Sequence, residues 1–151
     1  MKIEALTAEI VEIYRSEIAQ LYFENVRSNA FHNHYTYEEA FEKIGGLIDH
    51  LKTDTAIAYG ALKDDELIAF IWAYVHQFRE ETRMYVSEIR VKKEHRKHGI
   101  GKKLLKLVED KAREQGLSAI YLHAEAENID SRKLYEEYGY TEERIQLRKG
   151  L

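Results

Sequence analysis

The chain has 151 residues, 44% of them hydrophobic and 33% charged, and no cysteine. One domain over 1–151 is expected, and at that length folding buries roughly 70% of the unfolded surface. Disulfides, thiolate metal sites and a cysteine acyl intermediate are excluded, no apolar run is long enough to span a bilayer, and no apolar leader opens the chain, which predicts a cytoplasmic protein.

The net charge of −4 is unevenly distributed. Residues 1–89 carry 8 Lys/Arg and 16 Asp/Glu, and residues 104–151 carry 8 and 10. Residues 90–103 carry Arg90, Lys92, Lys93, Arg96, Lys97, Lys102 and Lys103 against Glu94 alone. A basic segment concentrated in an acidic chain points to a polyanion bound at one place, against the plainer reading of a solvated basic turn.

In chain order, residues 7–27 carry Ile10, Ile13, Tyr14, Ile18, Leu21 and Tyr22 at helical spacing after a polar start at Thr7, which predicts one amphipathic helix. Residues 28–36 read as a loop, and Thr36 caps a second helix to about Leu51 that Gly45 and Gly46 interrupt. Strands are predicted at 55–62 and 67–75, joined as a hairpin across Asp64 and Asp65, with a third at 84–92. A helix over 102–115 follows Gly99 and Gly101 and stops at Gly116. A strand at 118–124, a helix at 129–138 and a last strand at 140–148 complete the chain. The pattern predicts an α/β fold on a mixed sheet of about six strands with helices on both faces, antiparallel early and with parallel neighbours late.

The basic segment has the chemistry of a pyrophosphate cradle. Gly99 and Gly101 let the backbone turn tightly, so that several N–H groups can point at one anion. The helix that follows adds its unpaired first N–H groups and the positive end of its dipole. The Walker and dinucleotide patterns both fail here: the glycines are two apart with Lys102 and Lys103 after them, and position 104 is Leu.

Arg96, Lys97, His98, Gly99, Ile100 and Gly101 match the Arg/Gln-x-x-Gly-x-Gly/Ala signature of the GNAT superfamily of acyl-CoA-dependent N-acetyltransferases. Asn128, Ser131, Leu134, Tyr135, Gly139 and Tyr140 match a second motif of that family, and the two lie in its order. The chain resembles the family over about 84–141. It departs from it at Lys93, Ser131 and Tyr140, where Pro, Ala and Phe are common, and in lacking room for a seventh strand.

The resemblance implies acetyl-CoA as cosubstrate, no metal, and direct attack of a primary amine on the thioester with both substrates bound. It implies that the backbones of Ile89 and Val91 bond the pantetheine arm, that the N–H groups from Arg96 through Lys102 hold the pyrophosphate, and that Asn128 contacts the arm. Lys97 and Lys133 are candidates for the nucleotide's 3′-phosphate. Tyr135 is the candidate acid for the leaving thiolate, against a reading as a packed helix aromatic. Glu88 is the candidate base, with pairing to Arg90 on the same strand face as an equal alternative.

His32 and His34 are expected beside the acceptor pocket or simply exposed, and two such residues do not make a metal site. His95 is expected as an exposed loop residue. Tyr35, Tyr37, Tyr59, Tyr74 and Tyr85 are candidates to line an acceptor cleft, and Trp72 is expected in the core. The acceptor is expected to be a small-molecule or peptide amine, with the acidic first half leaning toward a cationic one, and the assembly is open between monomer and homodimer. Two other functions compete: a nucleic-acid-binding module using residues 90–103, against which stand the acidic remainder and the pI of about 6.0, and a non-catalytic acetyl-CoA sensor.

Overall fold

The computed structural model describes residues 1–27 and 34–151. Five strands form one sheet in the order β1-β2-β3-β4-β5: β1 (Lys2–Ala5), β2 (Ala56–Lys63), β3 (Glu66–Phe78), β4 (Glu81–Val91) and β5 (Ile120–Leu122). The first four are antiparallel neighbours, and β5 lies parallel to β4. Asp64 and Asp65 both take left-handed dihedrals (φ 52° and 62°), the geometry of a two-residue turn whose twist matches that of its strands. The predicted hairpin is therefore present.

β3 organises the core because its side chains alternate between two faces. Phe70 and Trp72 meet Val11, Ile18, Ile44 and Leu47 from helices α1 (Ala8–Ile13), α2 (Arg15–Arg27) and α3 (Tyr37–Lys52). Ile71 and Ala73 join Met84 and Val86 against Leu104, Leu105 and Val108 of helix α4 (Ile100–Glu114). Helix α5 (Ile129–Glu137) adds Tyr135 to that second cluster. No helix of the described residues is long and apolar enough to cross a membrane.

Four elements differ from the sequence-based expectation. The first helix is two, because Tyr14 ends α1 and its hydroxyl turns toward the Asp65 carbonyl, 3.3 Å away. Apolar spacing runs unbroken through this joint since both pieces face the same core. The second helix is continuous through Gly45 and Gly46. A Cβ at Gly45 would lie 2.6 Å from Arg15 Nη2, and through that notch Arg15 donates to the Phe41 carbonyl at 3.0 Å. Strand β1 was not predicted, its four residues being too few to show a period.

The last strand, expected at 140–148, is absent, so the sheet has five strands rather than six. Side-chain contacts hold this segment instead. Glu142 pairs with Arg132 and Glu143 with Arg83, each at 2.8 Å, and Arg144 lies 4.8 Å from the Phe78 ring centre. Its alternating apolar residues, Ile145 and Leu147, are exposed.

Candidate active site

Strands β4 and β5 pair only from Met84/Ile120 to Val86/Leu122, although β4 continues to Val91. The divergence begins where β4 carries an extra residue. Trp72 of β3 faces Glu88 and Ala73 faces Val86, which leaves Ser87 as a bulge. A bulge bends its strand and increases the local twist, and this one carries β4 away from β5.

The bulge also reverses which side chains face which way. Met84 and Val86 point toward α4, yet beyond Ser87 it is Ile89 and Val91 that pack on that side. Glu88 and Arg90 therefore join Tyr85 on the α1–α3 face. Lys92 donates to the Ile68 carbonyl at 2.9 Å. Since bonded and non-bonded pairs alternate in an antiparallel ladder, the backbone groups of Ile89 and Val91 face away from β3 and into the gap. Both carbonyls accept from arginines, Ile89 from Arg90 Nη1 at 3.0 Å and Val91 from Arg96 Nε at 2.9 Å.

At the end of the gap lies the glycine turn. A short 3-10 turn (Lys93–His95) leads to Lys97 and Gly99, both left-handed at φ 62° and 75°. Such alternation curls successive N–H groups around an anion-sized hollow. Gly99 is the N-cap of α4, with no side-chain cap and no acid in the first turn. That first turn instead holds Lys102 and Lys103, which is unfavourable beside a helix dipole unless an anion is bound there. Of the seven cations in 90–103, Arg90 and Lys92 pair with Glu88 and Glu66. The other five have no carboxylate partner among the described residues.

A Cβ at Gly101 would make only ordinary contacts, 3.7 Å to Ile89 and 3.9 Å to Val91. The packing around it does not demand glycine there, whereas a ligand approaching the backbone would. Lys102 reaches over Tyr138, 4.7 Å from the ring centre, and the buried Tyr138 hydroxyl has no partner among the described residues. Asn128 caps α5, its Oδ1 accepting from Ser131 N–H at 3.2 Å, which leaves its amide nitrogen for any ligand in the gap. His98 is exposed and His95 half-buried.

Glu88 is well shielded, its side chain 11% exposed. Arg90 holds Oε2 at 2.7 Å, and Lys43 of α3 stands 3.5 Å from Oε1. The ion pair of the structural reading is thus present, and it leaves one carboxylate oxygen loosely held. Burial raises the pKa of Tyr22, Tyr74, Tyr85 and Tyr135, and the Glu88 charge adds to the rise in each. For Tyr135 the Arg90 charge opposes that rise without cancelling it. All four phenols are therefore protonated at neutral pH. Tyr35 is pushed up to about 12, mainly by burial.

A stability prediction follows from these shifts. A phenol whose pKa is higher in the folded chain than its unfolded value of about 10 adds stability that is intact below that pH and is lost as pH climbs through the folded value. Melting temperature should hold steady from about pH 8 to 9.5 and then fall toward about pH 12. Tyr140, raised by burial and by Glu109, contributes to that fall, so Tyr140→Phe should make it shallower. A melting curve whose alkaline fall is the same in both proteins would refute this account.

The structure brings together more than the sequence suggested. Tyr35, Tyr74 and Tyr85 gather near Lys43, whose charge acts on all three. Tyr37 instead packs between Phe23 and Phe41, Tyr59 lies on the α4 face, and Trp72 is core at 1% exposed. His34 is exposed, and His32 lies outside the described residues. Sequence reasoning missed Tyr22, Asn25, Lys43 and Tyr138. None of these stands at a fixed position of either motif. No group of three or more metal-ligating side chains occurs among the described residues. A groove of about 910 Å³ lies between α2 and the β4–α4 turn, lined by Glu24, Asn25, Lys93 and Arg96 among others.

Comparison with known proteins accounts for this arrangement. The family model described as "Acetyltransferase (GNAT) family" matches residues 10–140. The uncharacterized N-acetyltransferase YdgE of Bacillus subtilis is 24% identical over 155 aligned positions, covering 99% of this chain and 97% of that protein. Among solved structures, a variant of the BH1408 protein of Bacillus halodurans superposes with a TM-score of 0.84 at 15% identity, covering 100% of this chain and 99% of that one. A ribosomal-protein-alanine N-acetyltransferase from Brucella melitensis superposes at 0.69 with 24% identity, covering 99% and 98%. The diverging strands, the glycine turn at their end and the family match over most of the chain identify one enzyme class: the protein belongs to the GNAT family and is an acetyltransferase.

Proposed function

We propose that the protein, acting as a single catalytic unit, moves an acetyl group from acetyl-CoA to a primary amine while both substrates are bound. The observation that carries this reading is the gap between β4 and β5, which opens onto the glycine turn at one end and has Glu88 and Tyr135 beside it. The residues fit the cosubstrate. Left-handed Lys97 and Gly99 curl their N–H groups around an anion-sized hollow, five cations there lack carboxylate partners among the described residues, and the Tyr138 hydroxyl has no acceptor among them.

Acetyl-CoA, when bound, supplies the thioester carbon that the amine attacks. The N–H groups of Ile89 and Val91 orient the extended arm. Arg96 through Lys102 bind the pyrophosphate, and Lys97 or Lys133 takes the 3′-phosphate. Glu88 receives the amine proton, directly or through water. Tyr135, kept protonated by burial, donates its phenolic proton to the departing sulfur. With no cysteine in the chain, proximity and orientation supply much of the acceleration.

The direct test is a thermal-shift titration with acetyl-CoA, CoA, dephospho-CoA and a short RNA, followed by an amine screen that reads thiol release. A ligand at 100 times its dissociation constant adds about 2.7 kcal/mol to a fold that alone binds it. A shift with acetyl-CoA larger than any with RNA supports the reading, and a salt-sensitive shift with RNA alone overturns it. Within the screen, Glu88→Gln should lower kcat while leaving the acetyl-CoA thermal shift nearly unchanged. An unchanged kcat would leave Glu88 as the ion-pair partner of Arg90 only.

A further inference from the structure

Glu88 is flanked by two cations whose circumstances differ. The Arg90 guanidinium is fully engaged: it donates to Glu88 Oε2 at 2.7 Å and to the Ile89 carbonyl at 3.0 Å, and the Asn25 amide oxygen, in the orientation that satisfies both groups, lies 3.1 and 3.2 Å from it. Lys43 is held loosely. Its ammonium donates to Tyr22 Oη at 2.8 Å, stands 3.5 Å from Glu88 Oε1, and its side chain is 40% exposed. A lysine offers three donors, and one is left over here among the described residues. Two cations on one carboxylate leave a positive charge beside the candidate base.

Several carboxylates of the acidic first half are engaged in other contacts. Glu12 pairs with Arg15, Glu66 with Lys92 and Glu81 with Arg83. Glu17 accepts from the Leu67 N–H, and Glu39 caps α3 by accepting from the Thr36 N–H at 2.7 Å.

Resting on the proposed amine acetylation, we infer that the acceptor carries an anionic group next to its amine and that Lys43 binds that group. Lys43 and Glu88 are adjacent, so an amine on Glu88 and an anion on Lys43 are separated by one or two atoms. That spacing describes an α- or β-amino acid, or a short amino-alkyl phosphate. Neutral tyrosines surround the pair, so the remainder of the acceptor meets aromatic surface. Binding the anion also draws Lys43 from Glu88 Oε1, which leaves that oxygen open to the amine proton. A polyamine or other dication meets two cations, Arg90 and Lys43, with a single carboxylate between them and is disfavoured.

The test measures kcat/KM by thiol release for matched pairs of acceptors. L-phenylalanine against its amide, and β-alanine against its amide, examine the carboxylate source. Phosphoethanolamine against ethanolamine examines the phosphate source, and spermidine represents the polycations. One charged hydrogen bond corresponds to a preference of roughly 10–100-fold for the anionic member of a pair. Lys43→Gln should collapse that ratio toward one through KM, and Lys43→Arg should restore much of it. An acetyl-CoA thermal shift on each variant verifies that it is folded.

Preference for the amides, for ethanolamine or for spermidine overturns the inference. So does turnover of none of these amines by protein that binds acetyl-CoA, and so does a preference that survives Lys43→Gln. Failure to bind acetyl-CoA at all would instead overturn the proposed function on which the inference rests.

Discussion

Gly99→Asp should raise the acetyl-CoA dissociation constant roughly 100-fold, about 2.8 kcal/mol. Gly99 has φ 75°, and a Cβ there would meet nothing within 4 Å, so the fold itself opposes the change only through backbone strain. Aspartate is among the side chains best tolerated in that region, and the larger effect comes from its charge. A carboxylate at the N-cap would place a negative charge beside the first N–H groups of α4 and the positive end of its dipole. It would thereby fill the anion site with an anion of its own.

Gly116 provides the control. It has φ 70°, equally open surroundings, and lies at the other end of α4, roughly 22 Å away at 1.5 Å per residue. Gly116→Asp adds the same charge in a similar backbone conformation, so its acetyl-CoA affinity should stay near that of the unaltered protein while its melting temperature drops. Calorimetric titration of both variants separates the two effects. Equal loss of affinity in both would mean that the glycine turn matters only for folding.

Tyr135→Phe should lower kcat roughly 100-fold, at the lower end of what a positioned proton donor supplies, and leave acetyl-CoA affinity nearly unchanged. The ring of Tyr135 packs against the α4-side core and lies 5.7 Å from that of Tyr140. Phenylalanine keeps this packing and removes only the hydroxyl. The pH dependence adds a second readout. Burial lifts the phenol above its usual value near 10, so the acid form persists through neutral pH and its loss should lower the wild-type rate on the alkaline side. The variant should lack that decline. Turnover at the wild-type rate would assign the proton to solvent.

Residue pattern alone carried much of the fold. The apolar spacing of Leu104, Leu105, Val108 and Ala112 specified α4 and its buried face, and the runs around Asp64–Asp65 specified the hairpin. The apolar stretches 56–62 and 67–73 specified the two central strands. Such signals are readable because each arises from a short-range repeat. The tail misled for the same reason. Residues 140–148 alternate like a strand, but a strand exists only with a partner, and Glu142, Glu143 and Arg144 are held by side chains instead.

The glycine-turn half of the candidate site was legible in the same way. Gly99, Gly101 and the lysines that follow lie in one continuous segment, so the proposed anion site needs only their own backbone and charge. The half that would receive the amine was not. Glu88 faces the α1–α3 side because Ser87 is a bulge, and nothing in the residues from Val86 to Ile89 marks one. Lys43 and Tyr22 meet Glu88 from helices 45 and 66 positions away in the chain. The sequence by itself thus determined the family, strands β2 and β3 and the basic glycine turn, all of them local. Only the tertiary structure decided where β4 leaves β5 and which charges surround Glu88, because both depend on strand register and on contacts between distant segments.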